Sequence, residues 1–181
     1  MIRLIALSGP KGCGKTTAAS WLEHEHGFHR LAFADPIRAA VLGLFPKWNA
    51  LAFAPEIKDR LCTHYGLAPR AALRAFGEHA RSLDPLIYIK HMEQRLDALP
   101  LGCSVVIDDL RMPSEAAWVR AHGGSVVHVR RSGVDWSGEH VTEQGPGVEP
   151  GDLTLPNPAG LEHFRCIVRT LADVVMAGVR Q

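Results

Sequence analysis

Residues 9–16 have the types and the spacing of a loop that binds phosphate. They read G-P-K-G-C-G-K-T, which fits the pattern G-x-x-x-x-G-K-[S/T]. Glycines in such a loop let the backbone turn tightly and point its N–H groups at phosphate oxygens. Lys15 would reach the β- and γ-phosphates of a nucleotide, and the hydroxyl group of Thr16 would bind Mg²⁺. The pattern therefore predicts a nucleotide site near the start of the chain.

The elements around this loop are the ones that a phosphate site requires. Residues 2–7 form a short apolar run that is typical of a buried strand, and residues 17–22 resemble the start of a helix. The N-terminus of a helix adds a positive dipole beside bound phosphate. Strand, loop and helix in this order favour a phosphate site over a glycine-rich turn that binds nothing.

A second candidate phosphate site lies on a predicted helix at residues 69–83. At 100° per residue, Arg70, Arg74 and Arg81 fall within about 40° of one another, on a face separate from the apolar one. Guanidinium groups bind phosphate through paired N–H bonds. If the helix continues through Gly77, these arginines form either a phosphate-binding face or an ordinary solvated basic face.

Charged residues also follow the predicted strands directly. In a parallel sheet the carboxyl ends of the strands meet at one edge, where ligands bind. The residues that we expect at this edge are the loop 9–16, Asp35, Asp109, Arg111 and Arg131. Asp35 and Asp84 each precede a proline, so both also suit the N-cap of a helix.

The order of elements predicts the fold class. Predicted strands alternate with helices along the chain, which indicates an α/β three-layer sandwich: a five-stranded, mostly parallel sheet with helices on both faces. Residues 46–68 are irregular, with a short helix near residues 55–65. Residues 132–151 are rich in glycine and proline and have the size of an active-site lid. Asn157 and the proline after it are expected to cap the final helix.

Composition sets further bounds. The 181 residues suggest a single domain, and the 46% hydrophobic content argues against disorder. A net charge of +1 gives no general reason to expect nucleic acid or a membrane as partner. Four scattered cysteines suit a reducing cytosol better than a disulfide framework. No apolar run reaches the ~18 residues of a membrane span, so we expect a soluble, intracellular protein.

Three observations favour a small-molecule kinase among the proteins that carry such a loop. The chain is too short for the larger sheet of a motor domain, and it lacks the N-K-x-D motif that reads guanine. Two separate arginine-bearing segments, residues 70–81 and 130–131, would suit an enzyme that holds an acceptor phosphate with one and covers ATP with the other.

At these motifs the chain resembles the bacteriophage-type deoxynucleoside monophosphate kinases, within the adenylate-kinase-like P-loop kinases. The matching segments are residues 7–16, residues 33–38, the set Arg70, Leu73, Gly77, Arg81 and Asp84, and residues 106–111 with Glu115; a looser match is His140 with Glu143. Together they span residue 2 to about residue 175. The family usually has a short apolar residue, serine or threonine where Asp108 stands.

The resemblance implies a single P-loop kinase domain over residues 1–181, with an acceptor-binding helical insertion at about 46–83 and a lid at about 132–151. The implied reaction transfers phosphate from ATP to a (deoxy)nucleoside 5′-monophosphate, with Mg²⁺ as cofactor. The implied ATP-binding residues are Gly9, Gly12, Cys13, Gly14, Lys15, Thr16 and Thr17. The implied catalytic residues are Lys11, Lys15, Arg111 and Arg131.

The same resemblance assigns the remaining site residues. Candidates for the acceptor are Asp35, Arg38, Arg70, Arg74, Arg81, Asp84 and Arg111. Arg130, His140 and Glu143 would belong to the lid, and Thr16 and Asp109 would hold the metal. The implied partners are the two nucleotides alone, and the implied setting is a bacterial or phage-infected cytosol. The chain would be a monomer or a homodimer.

Two other functions stay open at this point. One is a kinase for a different small acceptor, such as dephospho-coenzyme A or a sugar acid. The other is a regulatory module that binds ATP without turnover and switches a partner interface. Neither the acceptor base nor its sugar can be read from these motifs.

Overall fold

The computed structural model describes residues 2–54, 56–136, 144–158 and 160–177. The chain divides into two compact units, Met1–Ala32 with Arg95–Gln181 and Phe33–Gln94. The second unit contains the insertion expected at residues 46–83 and extends beyond it at both ends. A single kinase domain with that insertion and a lid at residues 132–151 stays a prediction.

The first unit is built on a five-stranded sheet. Its strands are β1 (Arg3–Ser8), β2 (His29–Leu31), β3 (Ser104–Ile107), β4 (Ser125–Arg131) and β5 (Leu153–Asn157). Their order is β2-β3-β1-β4-β5, and each neighbouring pair runs parallel. The fold class predicted from the sequence is confirmed. Parallel strands bring the segments that follow β1, β3 and β4 to one edge of the sheet.

Helices cover both faces of this sheet. The helices of the first unit are α1 (Lys15–His26), α5 (Pro113–Ala121) and α6 (Leu161–Ala177). One face packs under α1 and α6, around the buried side chains of Ile5, Leu22 and Phe164. The helix α5 packs on β1 and β4. The side chains of Phe164, Val168 and Leu171 thus form one buried apolar stripe along α6.

The second unit is mostly helical. Its elements are α2 (Asp35–Leu44), a 3₁₀ turn (Ala50–Phe53), α3 (Pro69–Leu83) and the first part of α4 (Ile87–Asp97). The predicted helix at residues 69–83 is confirmed, and it continues through Gly77, which is buried. Leu83, which helical spacing places on the apolar face of α3, is 76% exposed.

Three local predictions are wrong. Residues 56–65 form turns and a bridge between Cys62 and Leu67 in place of a short helix. Asp35 is not an N-cap, because α2 already includes it and its carboxylate pairs with Arg38. Asn157 ends β5 instead of capping the last helix, which begins at Leu161.

Within the described residues, the model contains no helix long and apolar enough to cross a membrane.

Candidate nucleotide-binding site

The loop between β1 and α1 has positive φ at three glycines, and two of them also lie close to neighbouring strands. Gly9 has φ of +145° and Gly14 has φ of +112°, both in the region that L-residues rarely adopt. A side chain on Gly9 would meet the carbonyl oxygen of Val129 at 2.6 Å. A side chain on Gly14 would meet the amide nitrogen of Asn157 at 2.5 Å. The glycines of the motif therefore let the loop pass close to β4 and β5.

Lys15 lies against the loop that it terminates. Its ammonium group donates hydrogen bonds to the carbonyl oxygens of Gly9 at 2.5 Å and Pro10 at 2.8 Å, and it lies 3.7 Å from the sulfur of Cys13. Burial lowers the pKa of Lys15, and the charge of Arg111 adds to that shift, while Cys13 and Asp108 oppose it. The cation is held at the mouth of the loop, where an arriving phosphate would replace the carbonyl oxygens.

Asn157 supports the same loop from β5. Its side-chain nitrogen donates a hydrogen bond of 2.8 Å to the carbonyl oxygen of Cys13, which is fully buried. This contact joins positions 144 residues apart. The sequence offered no signal for it, because an asparagine before a proline also suits a helix cap.

The other predicted donor residues lie around this loop. Arg131, the last residue of β4, donates to the carbonyl oxygen of Gly12 at 3.4 Å. Arg130 is exposed, as are Lys11 and Thr16, while Thr17 is half-buried. The structure thus brings Arg131 to the phosphate loop, as predicted.

A turn after β3 carries Asp109 and Arg111, and Glu115 fixes its backbone. The carboxylate of Glu115 is buried and accepts hydrogen bonds of 3.0 Å from the backbone N–H groups of Arg111 and Met112. Glu115, part of the family motif, therefore holds the turn in place at the start of α5. Asp109 is half-buried and Arg111 is exposed.

Asp108 and Arg30 form an ion pair at the ends of β3 and β2. The Nε atom of Arg30 donates to Oδ2 of Asp108 at 2.8 Å, and its Nη2 atom contacts the same oxygen. The side chain of Asp108 is 9% exposed. Its other oxygen, Oδ1, is buried and has no hydrogen-bond partner among the residues that the structure describes.

The predicted arginine face lies in the second unit, on α3. Arg70 is half-buried and forms a two-point ion pair with Asp59, in which its Nη2 atom lies 3.3 Å from Oδ2. The guanidinium group of Arg81 lies over the ring of Tyr88, 4.8 Å from the ring centre. Arg74 is exposed. Two of the three guanidinium groups are therefore held in fixed positions by neighbours.

Three further acceptor candidates belong to the second unit. Asp35 accepts a hydrogen bond of 3.0 Å from Arg38, one turn along α2. Asp84 accepts from the backbone N–H of Leu86 at 3.0 Å and from the ammonium group of Lys90 at 2.6 Å. These bonds, that of Lys90 first, lower the pKa of Asp84. Asp84 thus orders the turn that leads into α4, which begins three residues later at Ile87.

The return from the predicted lid is fixed by a polar network that the sequence did not reveal. Asp152 is 2% exposed and accepts hydrogen bonds from Arg120 at 2.9 and 2.8 Å, from His128 at 2.9 Å and from the backbone N–H of Glu149 at 2.9 Å. Burial alone would raise the pKa of Asp152, but these bonds outweigh it and lower the pKa to about 2. His140 and Glu143, predicted in the lid, lie outside the described residues.

The structure therefore gathers part of the predicted site in the first unit and places the rest in the second. The first unit holds the loop 9–16, Asp108, Asp109, Arg111, Arg131 and the unforeseen Asn157. The second holds Asp35, Arg38, Arg70, Arg74, Arg81 and Asp84. In the described part of the chain, no three His, Cys, Asp or Glu side chains form a metal-binding group.

The sheet order and the phosphate loop define a P-loop kinase fold, and solved structures share it. The chain is similar to a dephospho-coenzyme A kinase from Campylobacter jejuni, with a TM-score of 0.54 and 14% identity over 98% of this chain and 99% of that one. It is also similar to a sugar kinase from Janibacter, with a TM-score of 0.50 and 17% identity over the full length of both chains.

Comparisons of sequence narrow the class. The family model "Deoxynucleotide monophosphate kinase" matches residues 84–168. A protein of Acanthamoeba polyphaga mimivirus, named "Putative deoxynucleotide monophosphate kinase", is 29% identical over 94% of this chain and 96% of its own. The deoxynucleotide monophosphate kinase of Escherichia phage RB69 is 42% identical over 33% of this chain and 24% of its own. These matches confirm the resemblance predicted from the motifs and relate the chain to the deoxynucleotide monophosphate kinase family.

Proposed function

We propose that the protein is a nucleotide kinase that transfers the γ-phosphoryl group of ATP to a (deoxy)nucleoside 5′-monophosphate. The products are ADP and the nucleoside diphosphate. The observation that carries the proposal is the phosphate loop, with the half-buried Lys15 at its mouth, in a chain related to the deoxynucleotide monophosphate kinases. The names of these relatives support a nucleoside monophosphate as the acceptor, and the geometry of the loop supports the proposed donor site.

On the donor side, the backbone N–H groups of residues 9–17 and the ammonium group of Lys15 would hold the β- and γ-phosphates. Arg131, already at hydrogen-bond distance from Gly12, would move from that carbonyl oxygen to the phosphoryl oxygens. Lys11 and Arg111 would add positive charge near the transferring group. Desolvation strengthens each of these contacts because screening by water is lost.

Magnesium is proposed as the cofactor, and the donor set fits it. Thr16 lies in the first turn of α1 and carries a hydroxyl group. Two carboxylates, Asp108 and Asp109, follow β3, the strand that pairs with β1. Hydroxyl and carboxylate oxygens are ligands that Mg²⁺ prefers, and it keeps several waters when bound to phosphates. The motif assigns the carboxylate role to Asp109. When bound, the ion neutralises charge that develops on the phosphoryl oxygens.

On the acceptor side, the arginines of α3 are proposed to bind the monophosphate. A phosphate dianion needs guanidinium forks to offset its lost hydration, and Arg70 and Arg81 are held in place by Asp59 and Tyr88. Arg38, paired with Asp35, is a further candidate. Because the acceptor phosphate is already ionised, the chemistry requires positioning and charge neutralisation more than a base.

The test is ADP formation from ATP with each common deoxyribonucleoside and ribonucleoside monophosphate, with dephospho-coenzyme A and a sugar acid as further acceptors. We expect turnover with one or more monophosphates. Lys15→Ala should lower the rate by about 10²–10³, the cost of losing a charge contact in the transition state, while circular dichroism shows an intact fold. Turnover only with another acceptor would replace the proposed substrate. ATP binding without any turnover would indicate a regulatory module.

A further inference from the structure

The pairing of β3 with β1 determines on which face of the sheet Asp108 lies. Ile107 of β3 pairs with Ala6 of β1, so the next residue, Asp108, lies beside Leu7. Paired residues have their side chains on the same face of the sheet, and successive residues along a strand alternate between the two faces. The backbone N–H of Asp108 still bonds to Leu31 of β2 at 3.2 Å, so the alternation extends to this residue. Leu7 belongs to the core under α1. Asp108 is therefore on the face of the helix that Lys15 and Thr16 begin.

Arg30 orients this carboxylate and leaves one oxygen available. Arg30 contacts Oδ2 through two nitrogens and lies 3.9 Å from Glu23 of α1 on its other side. Oδ1 stays buried and without a partner among the described residues. A buried carboxylate oxygen without a hydrogen bond destabilises the folded protein, so a donor is expected when the site is filled.

Asp108 also interacts electrostatically with Lys15 of the phosphate loop, whose ammonium group bonds to Gly9 and Pro10. The donor that Oδ1 lacks is one that would arrive with the nucleotide. Bound Mg²⁺ keeps water ligands, and such waters are donors that carboxylates orient from the second coordination shell.

We propose that Asp108, positioned by Arg30, completes the magnesium side of the nucleotide site: its Oδ1 accepts a hydrogen bond from a water of the Mg²⁺ held by Thr16 and the phosphates. This rests on the proposed function, because it requires a nucleotide in the loop. It departs from the motif, which assigns the metal to Asp109. Asp108 stands where the family usually has a short apolar residue, serine or threonine, and the proposal gives this difference a role.

The experiment measures ADP binding by calorimetry with and without Mg²⁺, and so needs no turnover. The wild-type protein should bind ADP more tightly with Mg²⁺, and Asp108→Asn should lower that ratio about tenfold, as outer-shell substitutions do. Asp97→Asn, a change at an exposed position at the end of α4, is the matched control and should keep the ratio. Arg30→Gln should lower the ratio by a smaller factor, because the carboxylate remains but loses its orientation.

Two results would overturn the proposal: an unchanged ratio in Asp108→Asn, or an equal loss of the ratio in Asp97→Asn. If Asp108→Asn does not fold, Asp108→Thr provides the second variant, since a small polar residue suits this position in the related motif. Failure of the proposed function would look different. In that case wild-type protein would bind ADP with or without Mg²⁺ and still transfer phosphate to no monophosphate.

Discussion

The side-chain amide of Asn157 donates a hydrogen bond of 2.8 Å to the carbonyl oxygen of Cys13. This contact fastens the phosphate loop to β5, an edge strand that is far from it in sequence. An ordered loop can bind phosphate without first losing conformational freedom. Asn157 therefore acts on the nucleotide site by positioning the loop.

Asn157→Ala should weaken ADP binding about tenfold, because the loop loses the bond that orders it. The expected loss of stability is about 1 kcal/mol, the usual net worth of one hydrogen bond. Calorimetry with ADP and urea unfolding measure the two effects. Asn49→Ala is the matched control: Asn49 accepts a hydrogen bond from Leu51 in the second unit. ADP affinity unchanged by Asn157→Ala, or lowered equally by both variants, would contradict this role.

Two glycines of the loop should respond differently to the same substitution. Gly12 and Gly14 both have positive φ, so an alanine strains either position by about 1–2 kcal/mol. Only at Gly14 would the added carbon also clash, with the amide nitrogen of Asn157 at 2.5 Å, while nothing lies within 4 Å at Gly12. Gly14→Ala should therefore lower the melting temperature and the ADP affinity more than Gly12→Ala. Equal effects of the two substitutions would mean that the side chain of Asn157 moves aside without a measurable loss of stability.

Arg70→Ala should raise the KM for the monophosphate and leave the KM for ATP nearly unchanged. Arg70→Lys should restore little, because an ammonium group cannot reproduce the two-point contact of a guanidinium group. A two-substrate kinetic matrix measures both constants. Asp59→Asn is the informative companion, since it removes the ion pair but keeps the arginine. Exposed ion pairs contribute only about 0–1 kcal/mol, so Asp59→Asn should be mild. Equal damage from both changes would indicate a structural role for Arg70.

The network around Asp152 predicts a pH dependence of stability. The pKa of Asp152 is lowered from 3.8 to about 2 by folding, so its contribution is present above about pH 4 and is lost as the pH falls towards 2. A shift of that size corresponds to about 2 kcal/mol. Asp152→Asn should lower the free energy of unfolding by about this amount at pH 7 and flatten its decline between pH 4 and 2. Urea unfolding at several pH values measures it.

The control for that experiment is Asp97→Asn, a change at an exposed position at the end of α4. It should leave both the free energy of unfolding and its acid dependence close to those of the wild-type protein. An Asp152→Asn variant that loses stability in acid as steeply as the wild type would show that other carboxylates govern the decline.

The parallel sheet and the phosphate loop were predictable because their signals are local. Apolar runs, the glycine spacing and the alternation of strands with helices each occupy a short stretch of sequence. The position of Arg131 at the carboxyl end of β4 was predictable for the same reason, since it follows a clear strand, while its role in the site stays a prediction.

Contacts between distant segments were not predictable. Asn157 and Asp35 each suit a helix cap, and only the folded chain shows that one bonds to Cys13 and the other to Arg38. The network of Asp152 joins α5, β4 and a turn, and no short motif encodes it. The position of Asp108 on the same face of the sheet as α1 depends on strand register, which the sequence does not state.

The polar network around Asp152 has a consequence for the connection between β4 and β5. The chain leaves the sheet at Arg131, which bridges to Val134, and returns at Asp152, which Arg120 and His128 hold. Both anchor points belong to the sheet and α5. The entry into β5 is therefore fixed by contacts with β4 and α5, and these contacts help to set the register of this edge strand against β4.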